Sequence, residues 1–257
     1  MYKMYDEIAD WWLLLSPLEH YASEAEFFVK TMRDKGLPDS PTLLELGSGG
    51  GNNAYYLKRH FAHVTLSDLS EKMLAVSQRH NPECEHVVGD MKTIRLNRYF
   101  DIVFVHDAID YMTSLEELRQ VFLAAFLHCK ESGSAIFVPD HVLETFAEST
   151  GSGGSDDEHR AFRYFEWSYD PDESDTSYVT EYVYLLRENG QPLRVEHEQH
   201  VSGLFARADW LRLLREAGFE PEIVVDDFGR DIFVAHKPTL VGMAVPSGPI
   251  ASSRSRM

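Results

Sequence analysis

Between residues 42 and 139 short apolar runs recur at regular intervals: TLLEL (42–46), HVTLS (63–67), EHVVG (85–89), FDIVFV (100–105) and SAIFVP (134–139). Uninterrupted β-branched runs of this length suit strands buried on both faces. Their alternation with helical patterns predicts βαβ units in a parallel sheet. The helices are expected over 52–59, over 70–79 with Ser70 as N-cap, and over 114–129. There Ser114-Leu115-Glu116-Glu117 forms a capping box ahead of an apolar stripe. Upstream, 5–15 and 18–34 read as two amphipathic helices broken at Pro17.

After Val138 the periodicity changes. Residues 147–160, Gly/Ser-rich and then acidic, read as a loop. Residues 177–186 and 192–205 alternate polar and apolar positions around Asn189-Gly190, predicting an antiparallel hairpin with one solvated face. A helix over 207–217, closed by Gly218, precedes two strands, 221–227 and 230–236, joined through Phe228-Gly229. Residues 238–257 lack periodicity and read as a flexible tail, and no internal repeat is present.

A chain of 257 residues with 44% hydrophobic content is long enough for one sizeable core with an elaboration. Its formal net charge of −18 argues against a nucleic-acid partner, because no basic surface is available to displace phosphate counterions. No apolar run approaches the roughly 20 residues of a membrane span. Cys84 and Cys129 offer neither a metal spacing nor a disulfide framework. A cytoplasmic protein with no metal and no membrane partner is expected, with a homodimer as a possible assembly.

Chemistry concentrates at strand ends. The first strand runs into ELGSGGGNNA, whose glycines at 47, 49 and 51 allow close backbone approach to a ligand. The helix beginning at Asn52 aims its amide-rich end at the same spot. Gly49, Gly51 and Ala54 satisfy a dinucleotide fingerprint, and Asp68 stands where a ribose-binding acid is expected. The loop alone therefore also fits a nicotinamide-dependent oxidoreductase.

Three further features separate these readings. Glu45 precedes the loop to give E-x-G-x-G-x-G, Gly89-Asp90-Met91 ends the third strand, and the last strand pair closes the sheet as a hairpin. Over about 42–138 and 207–236 the chain resembles the class I S-adenosylmethionine-dependent methyltransferases. The resemblance implies S-adenosyl-L-methionine as cofactor. Gly47, Ser48 and Gly49 would lie against its methionine portion, with Glu45 supporting the loop. Asp68 would hold the ribose hydroxyls in a bidentate grip, Leu69 would flank the adenine, and Asp90 and Met91 would meet its edge. His106 would border the amino-acid or thioether portion. The opening YDEIADWW is similar to that of small-molecule N- and O-methyltransferases, including sugar-amine N-methyltransferases, with Trp12 where that subgroup commonly has Tyr. Tyr21 would help close the resulting lid.

The fold expected is thus α/β: a doubly wound, seven-stranded, Rossmann-like methyltransferase sheet with an antiparallel β insertion as a substrate cap. Residues 1–40 form a helical lid, 41–140 and 204–237 the core, and 141–203 the loop and cap. The function expected is methyl transfer to N or O of a small-molecule metabolite. A non-catalytic cofactor-binding protein is a further alternative. Methyl transfer needs alignment and water exclusion, and a base only where the nucleophile must lose a proton. Tyr111, His141 and His200 are the catalytic candidates, with Glu166 and His197 behind them. Sugar-amine enzymes tend to carry a histidine at the place of Tyr111. His197 and His200 have opposite parity, which would send one into the chamber and the other to solvent.

Overall fold

A computed structural model describes residues 1–239. Among these the chain forms, in order, α1 (Trp12–Leu15), α2 (Ala22–Asp34), β1 (Thr42–Leu46), α3 (Asn52–Leu57), β2 (His63–Asp68), α4 (Glu71–His80), β3 (Glu85–Val88), β4 (Phe100–Val105), α5 (Leu115–His128) and β5 (Cys129–Phe137). The insertion follows as β6 (Ser149–Gly153), β7 (Arg160–Tyr169), β8 (Ser177–Glu188) and β9 (Arg194–Gly203). The chain then closes with α6 (Arg207–Ala217), β10 (Glu220–Val225) and β11 (Asp231–His236).

The main sheet has seven strands in the order β10-β11-β5-β4-β1-β2-β3, and β6-β7-β8-β9 make a second, antiparallel sheet. Strands β1 to β5 pair in parallel, while β11 runs antiparallel to both β5 and β10. The apolar runs are continuous because helices cover both faces. Leu44, Leu46, Val103 and Val105 face α5 and α6, whereas Leu43, Ile102 and Phe104 face α2 and α3. Chain order reverses between β1 and β4, and that crevice lies at the carboxyl ends of the strands, where open α/β sheets bind ligands.

Local signals act as their chemistry requires. Ser70 and Ser114 accept from the amides of Met73 and Glu117 at 3.1 and 3.3 Å. The reciprocal arm of the capping box lands one residue early, on the amide of Thr113 rather than Ser114. No helix among the described residues is long and apolar enough to cross a membrane.

Three sequence expectations need correction. Residues 5–15 do not form one helix. They break into short 3-10 turns and α1, because Tyr5, Ile8 and Trp12 pack in several directions onto core and cap. Part of 147–160, read as a loop, is strand β6. Its Gly/Ser side chains carry no periodicity, but backbone pairing with β7 needs none. Strand β7 also escaped notice, although Phe162, Tyr164 and Glu166 alternate with exposed residues. The tail expected over 238–257 lies outside the described residues from residue 240 onward.

Candidate active site

The strand ends and the inner face of the second sheet enclose a cavity of about 1020 Å³. All the residues singled out for cofactor and catalysis line it: Trp12, Glu45, Gly47, Ser48, Gly49, Asp68, Leu69, Asp90, Met91, His106, Tyr111, His141 and His200. Glu166 and Tyr21 line it too. His197 does not: it points outward and pairs with Glu181 at 2.6 Å.

One end of the cavity is built on the glycine loop. Gly47 has φ +70°, and a Cβ there would fall 2.4 Å from the Ala108 side chain and 2.8 Å from Met91, so the backbone lies flush with the cavity floor. Asp68 already takes two amides, those of Gly49 and Ser70, each at 2.8 Å, which leaves one lone pair free on each carboxylate oxygen. Burial raises its pKa against the backbone hydrogen bonds it accepts. Asp90 accepts from the Lys92 amide at 2.8 Å, and Leu69 is 60% exposed at the rim. Beneath the loop Glu45 is 2% exposed, with one carboxylate oxygen lacking a partner among the described residues. Burial pushes its pKa up to about 8 against the pull of His106. The Ser48 hydroxyl is likewise buried and unpartnered. Trp12 crosses the loop at Gly50 and donates to Asn52 at 2.8 Å, while Asn52 donates to the Ser16 carbonyl at 2.7 Å.

Deeper in, His106 sits between Asp107 at 2.8 Å and Glu24 at 3.4 Å. Burial opposes charge on the imidazole, but these two carboxylates outweigh it and hold the pKa well above the usual histidine range. Arg230 completes the cluster, binding Asp226 at 2.8 Å and Glu24 at 2.7 Å. Asp110 accepts from the Asp140 amide at 2.8 Å. Burial, then the Asp140 charge, raises the Asp110 carboxyl well above its usual range.

The far wall belongs to the second sheet, whose parity turns Tyr164, Glu166, Tyr182, Tyr184 and His200 inward. A chain of groups crosses from the N-terminal segment to this wall. The Tyr5 hydroxyl lies 2.5 Å from that of Tyr111, which lies 3.0 Å from His200 Nδ1, and His200 Nε2 lies 2.5 Å from Glu198. Glu198 also accepts from the Lys3 backbone amide. Tyr2 stacks on the His200 ring at 3.8 Å and 20°. Burial raises the Tyr111 phenol well above its usual pKa. His141 stands apart, edge-on to Phe146 and Tyr178, with its pKa lowered by burial.

Residues 43–133 match the family described as "Methyltransferase domain". The acidic residue before the glycine loop and the hairpin-closed sheet agree with that match. The chain carries a methyltransferase domain and is an S-adenosylmethionine-dependent methyltransferase. The dTDP-3-amino-3,4,6-trideoxy-alpha-D-glucopyranose N,N-dimethyltransferase of Streptomyces venezuelae is 26% identical to it over 217 residues, covering 83% of this chain and 90% of that one. Among solved structures, Streptomyces venezuelae DesVI superposes with a TM-score of 0.81 at 24% identity, covering 90% of this chain and 98% of that one. The sugar N-methyltransferase KedS8 from Streptoalloteichus gives 0.77 at 25% identity, covering 85% and 88%.

Four residues that line the cavity or bond to its lining groups carry no role in the sequence analysis. Glu198 shares strand parity with His200 two residues on, a signal that was present. Asn52 follows the glycine loop directly, and Tyr5 begins the N-terminal motif. Glu24 carried no local signal, because only the fold brings α2 beside Arg230.

Proposed function

We propose that the enzyme methylates the nitrogen of a small-molecule amine, and that Tyr111, His200 and Glu198 remove the amine's proton. The cavity residues fit S-adenosylmethionine, which supplies a methyl group on a sulfonium that leaves as a neutral thioether. The flush Gly47–Gly49 backbone and the unpartnered Ser48 hydroxyl would hold its methionine portion, with Glu45 beneath. The free lone pairs of Asp68 would take the ribose hydroxyls, while Leu69, Asp90 and Met91 would flank the adenine. Trp12 would close over the loop, and His106 would border the amino-acid portion. Nitrogen is favoured as acceptor because the similar proteins are named for N-methylation.

An alkyl ammonium such as that of lysine loses its proton only near pH 10, so at neutral pH the nucleophile arrives protonated. The observation that carries this reading is the chain Tyr111–His200–Glu198. Glu198, 2.5 Å from Nε2, keeps a proton on that nitrogen and leaves Nδ1 to accept from Tyr111. As the ammonium N–H breaks toward the Tyr111 oxygen, the phenol O–H passes its proton to Nδ1, and His200 becomes an imidazolium beside Glu198. Burial keeps Tyr111 a neutral phenol, so it relays the proton without storing charge.

Tyr111→Phe and His200→Gln should each lower kcat by about 10²-fold or more at neutral pH, with cofactor affinity little changed. Raising the pH toward that of the free amine should restore much of the loss, because the acceptor then arrives unprotonated. A kcat unaffected by either substitution would remove this proton path.

A further inference from the structure

The acceptor chamber carries a second set of groups that proton removal does not use. Asp107 and Asp110 follow β4, Asp140 follows β5, and Glu166 projects from β7 on the opposite wall, all lining the one cavity. Asp140 is exposed and lines the cavity. Asp110 is only 5% exposed and accepts from the Asp140 amide at 2.8 Å. Tyr182 stands across from Glu166 in the strand register, with Tyr184 the next inward residue. Tyr184 is 1% exposed and lines the same cavity.

The lysine and arginine side chains that line the cavity are already committed, while Met1, which bears the α-ammonium, is solvent-exposed. Lys92 binds Glu117 at 2.9 Å, and Arg230 binds Asp226 and Glu24. A diphosphate entering the chamber would meet carboxylates with no free lysine or arginine side chain among the described lining residues to receive it, an arrangement that disfavours anions. A cation would meet carboxylates and the faces of tyrosine rings, both of which attract it.

We propose that the acceptor carries a second cationic centre and no phosphate. It is a diamine, one nitrogen facing Tyr111 and the other held by Asp140, Asp110 and Glu166. This rests on the amine-methylation reading above. It sets the chain apart from its relative, whose name specifies a dTDP-linked sugar. The protonation of the acidic groups agrees. Burial first, and Asp107 second, push Asp140 up to about 7 against the pull of His106 and Arg230, and burial raises Glu166. Neither Asp140 nor Glu166 forms a salt bridge among the described residues.

The test compares three probes: an amino sugar methyl glycoside with one amine, its diamino counterpart, and a dTDP-linked amino sugar. Each is titrated calorimetrically into the enzyme bound to S-adenosylhomocysteine, and each is assayed for methylation with S-adenosylmethionine. The diamine should bind about tenfold or more tightly than the monoamine, and the nucleotide-linked sugar more weakly than either. Asp140→Asn combined with Glu166→Gln should erase that preference, with cofactor affinity and melting temperature serving as checks on the fold. Tightest binding by the nucleotide-linked sugar, no binding by the diamine, or a preference that survives in the double variant would overturn the proposal. The ranking is a binding measurement, so it stands or falls separately from the proton path, which Tyr111→Phe tests through kcat.

Discussion

Glu45 is a carboxyl near the end of a strand, paired in register with Leu66 and Phe104, and burial decides its protonation. Burial raises its pKa from 4.5 to about 8. An unfolded chain binds that proton only below about 4.5, whereas the folded protein keeps it to about 8. The cofactor-free enzyme therefore loses stability as pH rises across that window, with no further change above it. Glu45→Gln removes the titration. The variant should gain on the wild type by a few kcal/mol between about pH 5 and pH 9, read by denaturation without cofactor. A difference independent of pH would mean that Glu45 is ionised in the folded protein. Asp68 is another residue with two tasks. It tethers the glycine loop through two amides, so Asp68→Ala should cost about 1–3 kcal/mol as well as weakening the cofactor, measured by melting and by titration.

At the level of elements, the core supplies a row of strand ends and the second sheet supplies a wall, and the seam between them is tight. A Cβ on Gly203, at the end of β9, would lie 2.0 Å from the Met112 carbonyl oxygen, with no flexible side chain to yield. Gly203→Ala should destabilise by about 1–3 kcal/mol. It should also lower kcat beyond that of an equally destabilised core variant, because β9 carries His200. The elements readable from sequence were those whose burial imposes a period. Strands β1 and β4, covered on both faces, are continuous apolar runs, and the β8–β9 hairpin alternates around Asn189-Gly190. Strand β6 was illegible because backbone pairing holds an edge strand of small residues. The N-terminal turns were illegible because apolar residues packed against two different partners mimic a helical stripe. In the site, the glycine loop and Asp68 could be read because a ligand demands them in sequence order. Linking Glu198 to Tyr111 needs tertiary register, and no spacing in the chain encodes that.

The N-terminal segment joins the two sheets of the whole molecule. Ser70 bonds the Tyr5 carbonyl at 2.5 Å, Asn52 bonds that of Ser16, Ser155 bonds that of Leu14 at 3.1 Å, and the Tyr2 hydroxyl accepts from Val201 at 3.1 Å. A ligand seated on the glycine loop would therefore steady the segment and, through it, the second sheet. Hydrogen exchange should show added protection over 1–21, 47–53 and β7–β9 when S-adenosylhomocysteine binds, and little change in the β10–β11 hairpin. Protection confined to 47–53 would show that the segment is not coupled to the loop.

The row Tyr5, Tyr111, His200, Glu198 draws its members from the first residues of the chain, the end of a core strand and the last strand of the cap. None of the three stretches contains the whole row by itself. On the proposed mechanism, a molecule whose front end has lifted away still has its glycine loop, yet Tyr111 has lost the hydroxyl beside it and Glu198 the amide that steadies it. Chemical competence is then a report that three distant parts have assembled, and a half-open enzyme is a cofactor store without an armed acceptor site, poorly equipped to spend a reactive sulfonium on whatever drifts in.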